Sequence, residues 1–206
     1  MLRTLLLSLL ITCVSAGEAV RQLPPGWLGA NANLGRATWN APGMAEQLAS
    51  LGLGTLRYPG GTVGNYWAWR DGWVSFGGEA ALGHITTMAR QRPPRPANTP
   101  QQFVQAIAAD PASGVWMLNL VTADLADQLA MLRTAQTAGA VIRRVELGNE
   151  LYFALPENRA VHPTAADYAR EAGHWAAAIR AEFPAARCAA LAHGKVEDAD
   201  APERKR

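Results

Sequence analysis

The chain has 206 residues, 49% of them hydrophobic and 17% charged, which is typical of a globular protein that can build its own core. Its 19 basic and 17 acidic side chains nearly balance, which argues against a nucleic-acid-binding surface. Seven Trp is a high number for this length. Trp side chains stack on sugar rings but more often fill cores, and we expect most of these to be core residues.

The first residues have the pattern of a secretory signal peptide. Arg3 supplies a positive charge, residues 5–11 form a short apolar run, and small residues follow as far as Ala16. The run is shorter than the roughly 20 residues that span a membrane. We predict a signal peptide at residues 1–16, cleaved after Ala16 or alternatively Ala19, and a secreted or periplasmic protein that is not membrane-bound after cleavage. An uncleaved N-terminal anchor is the alternative.

Segments with strand and helix patterns alternate along the rest of the chain. Strands are predicted at residues 27–33, 54–58, 115–121, 141–147 and 187–191, and helices at 44–51, 100–109, 123–138 and 165–183. Thr99 and Thr164 are predicted N-terminal caps, and Pro100 suits the first helical position. Residues 62–83 are predicted to form a long loop. This alternation predicts parallel strands joined by helical crossovers.

Polar and Gly-rich residues gather where the predicted strands end. They are Asn31 and Asn33, Pro59-Gly60-Gly61, Asn119, and Gly148-Asn149-Glu150. A doubly wound sheet and a barrel both fit the alternation, but no Gly-x-Gly-x-x-Gly follows the first strand. Active sites of (β/α)8 barrels lie at the carboxyl ends of the strands. We therefore predict an α/β fold, namely an incomplete (β/α)8 TIM barrel over residues 23–192 that holds about the first four to five βα units.

An incomplete barrel leaves two open sheet edges and an uncovered interior, which we expect to be apolar. Open edges favour self-association or pairing with another chain. Residues 193–206 are charged and aperiodic, which predicts a disordered tail. The same pattern is expected of a truncated or frameshifted product.

Glu150 is the strongest candidate for chemistry. It follows a buried strand directly after Asn149. A carboxyl group in a partly apolar pocket can protonate a leaving oxygen, and an Asn beside it can bind a sugar hydroxyl. A helix-capping or ion-paired Glu at the start of a loop is the structural alternative, and the residues alone leave both open.

Several motifs carry a resemblance to a known family. They are Leu56-Arg57-Tyr58-Pro59-Gly60-Gly61, Asn65-Tyr66-Trp67-Ala68-Trp69, Val115-Trp116-Met117-Leu118-Asn119 and Glu146-Leu147-Gly148-Asn149-Glu150. In this order, at strand ends, they resemble clan A glycoside hydrolases. Within the clan the chain is most similar to the heparanase-like and α-L-arabinofuranosidase-like groups, over about residues 27–191.

The resemblance implies a role for each matching residue. Glu150 matches the catalytic acid/base at the end of the fourth strand, and Asn149 matches the Asn that binds the hydroxyl next to the reacting carbon. Arg57 matches an Arg that supports the nucleophile. The other substrate-binding candidates fall where the family lines its substrate pocket: Asn31, Tyr66, Trp67 and Asn119.

The chain departs from the family because no second catalytic carboxylate can be assigned in its sequence. A retaining glycosidase needs one about 5–5.5 Å from the acid/base, and the family takes it from the seventh strand. Glu146 lies four residues before Glu150, roughly 13 Å along a strand, which is too far. Asp124 and Asp127 fit better as charges at the start of a helix. Glu157 has no motif around it, so the nucleophile strand is absent from the predicted elements.

Two main functions follow. The first is a glycoside hydrolase acting on a carbohydrate or glycoside, retaining by resemblance, although we expect this chain alone to be inactive. The alternative is a truncated, catalytically inactive carbohydrate-binding or non-functional half barrel. A third hypothesis is an α/β protein whose open edge pairs with another chain. No cofactor or metal is predicted, because the four His residues are scattered along the sequence.

Overall fold

The computed structural model describes residues 27–32 and 38–192. The predicted signal peptide, the predicted tail and Asn33 lie outside these residues. No helix among the described residues has the length and apolar character needed to cross a membrane.

Seven strands and six α-helices form the described part of the chain. The strands are β1 (Gly29–Asn31), β2 (Thr55–Tyr58), β3 (Trp67–Ala68), β4 (Trp73–Val74), β5 (Gly114–Leu118), β6 (Arg144–Leu147) and β7 (Arg187–Ala189). The helices are α1 (Met44–Ser50), α2 (Gly83–Arg90), α3 (Pro100–Ala106), α4 (Leu125–Thr137), α5 (Pro156–Val161) and α6 (Ala165–Glu182), with a 3₁₀ turn at Thr62–Tyr66.

Five strands form one parallel sheet in the order β1-β2-β5-β6-β7. Each pair is parallel, with registers such as Tyr58 opposite Trp116 and Leu118 opposite Leu147. The parallel α/β sheet predicted from the alternation is therefore confirmed. It places the carboxyl ends of β1, β2, β5 and β6 along one edge, which is where the polar strand-end residues gather.

Capping residues define where two of the crossover helices begin. Thr99 accepts a hydrogen bond from the Gln102 amide while the Gln102 side chain accepts from the Thr99 amide, and Pro100 occupies the first turn. Thr164 and Asp167 form the same capping box at α6. Both predicted caps are confirmed, although α3 ends at Ala106, three residues before its predicted end.

The segment predicted as one long loop holds more structure than its sequence indicated. After the 3₁₀ turn, β3 and β4 pair as a small antiparallel hairpin, and α2 follows it. The start of α2 was missed because its N-cap position is Leu82, which offers no capping side chain. The hairpin and the turn lie beyond the carboxyl end of β2 and help to build the candidate site.

The two faces of the sheet differ in polarity. The side chains that face the helices are apolar and buried: Leu56, Tyr58, Trp116, Leu118, Val145 and Leu147. The alternate positions on the opposite face include Thr55, Arg57, Arg144 and Glu146, all half-buried. The sheet face opposite the helices is thus less apolar than the interior expected from the sequence, because Arg57 and Glu146, which pair across the strands, occupy part of it.

Six of the seven Trp side chains are buried, which confirms their predicted core role. Tyr58 lies at the centre of one aromatic group, with its ring centroid 4.9 Å from that of Phe103 and 5.6 Å from that of Trp116. Its hydroxyl accepts from Trp67 Nε1 and donates to the Asn98 carbonyl. Burial raises the pKa of Tyr58, so the phenol stays neutral inside this group.

Candidate active site

Glu150 lies in a turn just beyond the carboxyl end of β6. Gly148 opens the turn with φ +89°, and Glu150 itself has φ +47°. Only glycine adopts such angles without cost, so Glu150 keeps a left-handed conformation that a non-glycine residue disfavours by about 1–3 kcal/mol. Backbone strain of this kind is found preferentially at functional sites.

Three side chains donate hydrogen bonds to the half-buried Glu150 carboxylate. Asn149 Nδ2 donates to Oε2 at 3.1 Å, and Thr62 Oγ1 donates to the same oxygen at 3.2 Å. Tyr152 OH donates to the other oxygen, Oε1, at 3.2 Å. The donors come from both sides of the carboxylate, so the group is held in place while part of it stays open to solvent.

Arg57 links the predicted site residues to each other. Its Nε makes an ion pair with Glu146, its Nη2 donates to Asn149 Oδ1 at 2.9 Å, and its Nη1 lies 3.5 Å from Asn31 Oδ1. The side chains of Arg57 and Glu146 are 21% and 29% exposed, so water only partly screens the pair. A planar guanidinium with several fixed donors suits such a role, which a lysine ammonium could not reproduce.

Asn65 holds the main chain of Asn149 from the opposite loop. Asn65 Nδ2 donates to the Asn149 carbonyl at 2.7 Å, and the Asn149 amide donates to Asn65 Oδ1 at 3.1 Å. Asn65 is fully buried, so the two bonds are protected from water. The loop after β2 is thereby fixed to the turn after β6, which positions Thr62 beside Glu150.

Gly60 allows the close approach of Asn31 to this group. It has φ +81°, and a Cβ atom there would lie 2.2 Å from Asn31 Oδ1 and 2.7 Å from the Ala32 carbonyl oxygen. The Pro59-Gly60-Gly61 turn therefore passes directly over the end of β1. Of the two glycines that follow Pro59, Gly60 thus has a steric reason at this site.

The remaining predicted substrate-binding residues lie in a neighbouring cavity of about 500 Å³. Tyr66 and Trp67 are 0% and 2% exposed, and Asn119 is buried beside them. Asn119 Nδ2 donates to the Trp67 carbonyl and to Thr122 Oγ1, while its Oδ1 accepts the amides of Val121 and Thr122. Hydrogen bonds thus join Glu150, Asn149, Arg57 and Asn31, while Tyr66, Trp67 and Asn119 line the neighbouring cavity.

The other carboxylates considered from the sequence have contacts of their own. Glu146 pairs with Arg57, and Asp124 caps α4 by accepting the Asp127 amide. Asp127 binds Arg70 and Trp69 Nε1, as expected of a charge at the start of a helix. Glu157 accepts from Tyr66 OH at 2.7 Å and from the Ala81 amide. Burial and then Glu157 raise the pKa of Tyr66, which keeps this phenol a donor.

Three residues of the site were not predicted as site residues from the sequence: Thr62, Asn65 and Tyr152. Asn65 belongs to one of the motifs on which the resemblance rests, and that membership could have identified it as a site residue. Thr62 and Tyr152 lie just outside these motifs, and only the folded turns bring their hydroxyls to Glu150. Among the described residues, no group of three or more His, Cys, Asp or Glu side chains is arranged to hold a metal ion.

No family model and no curated protein matches the sequence. Solved structures do match the fold. The family 51 α-L-arabinofuranosidase AbfB from Bifidobacterium longum gives a TM-score of 0.58 at 16% identity over 89% of this chain. The crystal structure of an arabinofuranosidase gives a TM-score of 0.59 at 18% identity over 86% of this chain. The chain spans only 40% and 42% of the lengths of these two proteins.

At such low identity the likeness establishes the fold and not the activity. The structural neighbours and the parallel sheet fit part of a TIM barrel. The resemblance to clan A glycoside hydrolases indicated by the strand-end motifs is confirmed at the level of the fold.

Proposed function

We propose that this chain carries the proton-transfer part of a retaining glycoside hydrolase site, with Glu150 as the acid/base. The observation that carries the proposal is the Glu150 carboxylate at the carboxyl end of β6, where Asn149, Thr62 and Tyr152 hold it partly open to solvent. A positioned carboxyl group at the carboxyl end of a barrel strand is suited to general acid/base catalysis.

In the proposed reaction Glu150 gives its proton to the glycosidic oxygen as the bond to the sugar breaks, and later takes a proton from water. Asn149 orients the sugar. Its Oδ1 is held by Arg57, and its Nδ2 lies a long 3.5 Å from Thr62 Oγ1. One amide hydrogen of Asn149 therefore makes only a weak hydrogen bond and is able to donate to a sugar hydroxyl instead.

The substrate class we propose is an α-L-arabinofuranoside or a related glycoside. It rests on the names of the structural neighbours, both arabinofuranosidases. The second carboxylate that a retaining mechanism needs is proposed to come from outside the described residues, because Glu146, Asp124 and Glu157 are each engaged in other contacts.

The experiment is hydrolysis of 4-nitrophenyl and phenyl α-L-arabinofuranosides by the full chain and by Glu150→Gln. We expect Glu150→Gln to lose about 10²–10⁴-fold in kcat/KM on the phenyl substrate, whose poor leaving group needs the acid. Glu46→Gln, a matched change at an exposed position on α1, should retain full activity. Measurable hydrolysis by the unchanged chain that Glu150→Gln leaves intact would contradict the assignment.

One observation favours a second candidate, a half barrel that binds carbohydrate without turnover. The carboxylates considered as nucleophiles within the described residues are all engaged in other contacts. Calorimetric titration with arabinose and with arabinofuranosyl oligosaccharides distinguishes the two. Saturable binding that Asn149→Ala abolishes, without measurable hydrolysis, would support this second candidate.

We also propose that the chain is secreted or periplasmic and that its sheet edges, β1 and β7, favour self-association. N-terminal sequencing of the mature protein tests the first point, and cleavage after Ala16 or Ala19 is expected. Light scattering over a range of concentrations tests the second. A mass that stays that of a monomer at every concentration would contradict pairing of the edges.

A further inference from the structure

We propose that Tyr152 is a positioning residue for Glu150, holding the carboxylate oxygen that exchanges the proton with substrate. This inference rests on the proposed function of Glu150. It concerns a residue that lies two positions beyond the carboxylate and belongs to none of the strand-end motifs.

The contact follows from the local backbone. The Phe153 amide donates to the Glu150 carbonyl at 3.0 Å, which closes a turn and brings the Tyr152 side chain back over residue 150. The Tyr152 and Phe153 ring centroids lie 5.0 Å apart at 59°, so the phenol ring packs on its neighbour. Its hydroxyl then lies 3.2 Å from Glu150 Oε1. The left-handed φ of Glu150 is part of this turn.

The two carboxylate oxygens are used differently. A carboxylate oxygen has two lone pairs that accept hydrogen bonds. Oε2 accepts from both Thr62 and Asn149, so its two sites are occupied. Within the described part of the chain Oε1 accepts from Tyr152 alone, and one site remains. The glycosidic oxygen therefore meets Oε1, and the Tyr152 bond fixes the direction of the lone pair that carries the proton.

Burial and the charge of Glu150 keep the Tyr152 phenol a hydrogen-bond donor. Burial, followed by the charge of Glu150 and the hydrogen bond to it, raises the pKa of Tyr152 above its usual value. The phenol therefore stays protonated at neutral pH and stabilises the ionised carboxylate. The other charged groups of the site are Arg57 on β2 and Glu146 on β6, and they pair with each other.

The first test is the pH–rate profile of Tyr152→Phe on phenyl α-L-arabinofuranoside. This change keeps the ring and removes the hydroxyl. We expect kcat to fall about fivefold to tenfold with KM changed less than about twofold, because one hydrogen bond to the acid/base is lost. The alkaline limb of the profile should move to higher pH, because a hydrogen bond that favours the ionised carboxylate is removed.

Tyr168→Phe is the matched control. It also removes a phenol hydroxyl near the end of β6, but that hydroxyl donates to the Leu147 carbonyl and accepts the Leu191 amide. It should lower thermal stability and leave the alkaline limb in place. If Glu150→Gln abolishes turnover while Tyr152→Phe keeps the profile of the unchanged chain, the positioning role is wrong and the proposed function stands. If Glu150→Gln hydrolyses the substrate as fast as the unchanged chain, the proposed function itself is wrong.

A second readout needs no turnover. The phenolate absorbance is followed as the pH rises, and the difference between the full chain and Tyr152→Phe gives the titration of Tyr152. In Glu150→Gln the transition should move to lower pH, because the negative charge that opposes phenolate formation is gone. An unchanged transition would show that the two side chains do not interact and would overturn the inference even if the chain hydrolyses no glycoside.

Discussion

Arg57 Nη2 donates to Asn149 Oδ1 over 2.9 Å and so joins the ends of two strands, β2 and β6, that are not neighbours in the sheet. Strand β5 lies between them, and the long arginine side chain reaches across it. The bond also decides how the Asn149 amide is oriented. With Oδ1 facing Arg57, Nδ2 faces Glu150, so Arg57 acts on the carboxylate through Asn149.

Replacing Arg57 with Lys tests this relationship. A lysine ammonium can keep the pair with Glu146 but has no fork to reach Asn149 and Asn31 as well. We expect Arg57→Lys to lower the free energy of unfolding by about 1–2 kcal/mol, because partly buried acceptors lose a charged donor. Urea denaturation followed by tryptophan fluorescence measures it.

Arg70→Lys is the control for Arg57→Lys. Arg70 also pairs with a carboxylate, that of Asp127, but its side chain is 62% exposed. Exposed ion pairs contribute little, so a change within about 0.5 kcal/mol is expected. Equal effects of the two substitutions would mean that the contacts of Arg57 with Asn149 and Asn31 contribute nothing beyond the pair with Glu146.

Asn65 is expected to be among the most sensitive positions of the site. Asn65→Ala leaves both the amide and the carbonyl of Asn149 buried without their partner. The expected loss of stability is about 3 kcal/mol, since each unsatisfied buried polar group costs about 1–3 kcal/mol. Urea denaturation gives the value.

Asn40→Ala supplies the comparison for Asn65→Ala. Asn40 is exposed, and its truncation should change the free energy of unfolding by less than about 0.5 kcal/mol. A loss of stability in Asn65→Ala as small as in Asn40→Ala would show that water replaces the Asn65 amide. The two hydrogen bonds with Asn65 would then not be needed to hold the turn after β6.

The sheet and its crossover helices were predictable from the sequence because their signals are local. The alternation of apolar runs gave the parallel strands, and Thr99 and Thr164 marked helix starts through their caps. Asn149 and Glu150 were predicted as site residues from their place at a strand end, and Arg57 was added by the resemblance of its motif to a known family. Parallel strands bring such residues to one edge of the sheet.

The rest of the site depends on tertiary contacts that no local pattern encodes. Thr62 and Tyr152 reach Glu150 only because two loops fold over the same strand end. The polar character of the sheet face opposite the helices was not predicted because it also depends on tertiary contacts. Arg57 and Glu146 are 89 residues apart in the sequence, and neither residue alone indicates that the other is its partner.

The capping box of α6 gives a prediction on pH. The Thr164 side chain, followed by Arg170, holds the pKa of Asp167 below its usual value of 3.8. A carboxyl group with a depressed pKa stabilises the fold above the usual value, and this contribution disappears as the pH falls through the depressed pKa. Urea midpoints of the unchanged chain and Asp167→Asn should therefore converge below about pH 3.8. A difference that stays constant from pH 7 to pH 3 would contradict the prediction.

The backbone at Glu150 predicts an unusual order of stability between two variants. Glu150→Gly and Glu150→Ala both remove the carboxylate and its three hydrogen bonds, so their difference reports the backbone alone. Because residue 150 has φ +47°, Gly should be more stable than Ala by about 1 kcal/mol. At Ala177, an exposed position within α6, the order should reverse, and Ala177→Gly should cost about 1 kcal/mol. Urea denaturation of the two pairs measures both differences. If Ala were favoured at both positions, residue 150 would not be strained, and its turn would owe its shape to the side-chain contacts of Glu150.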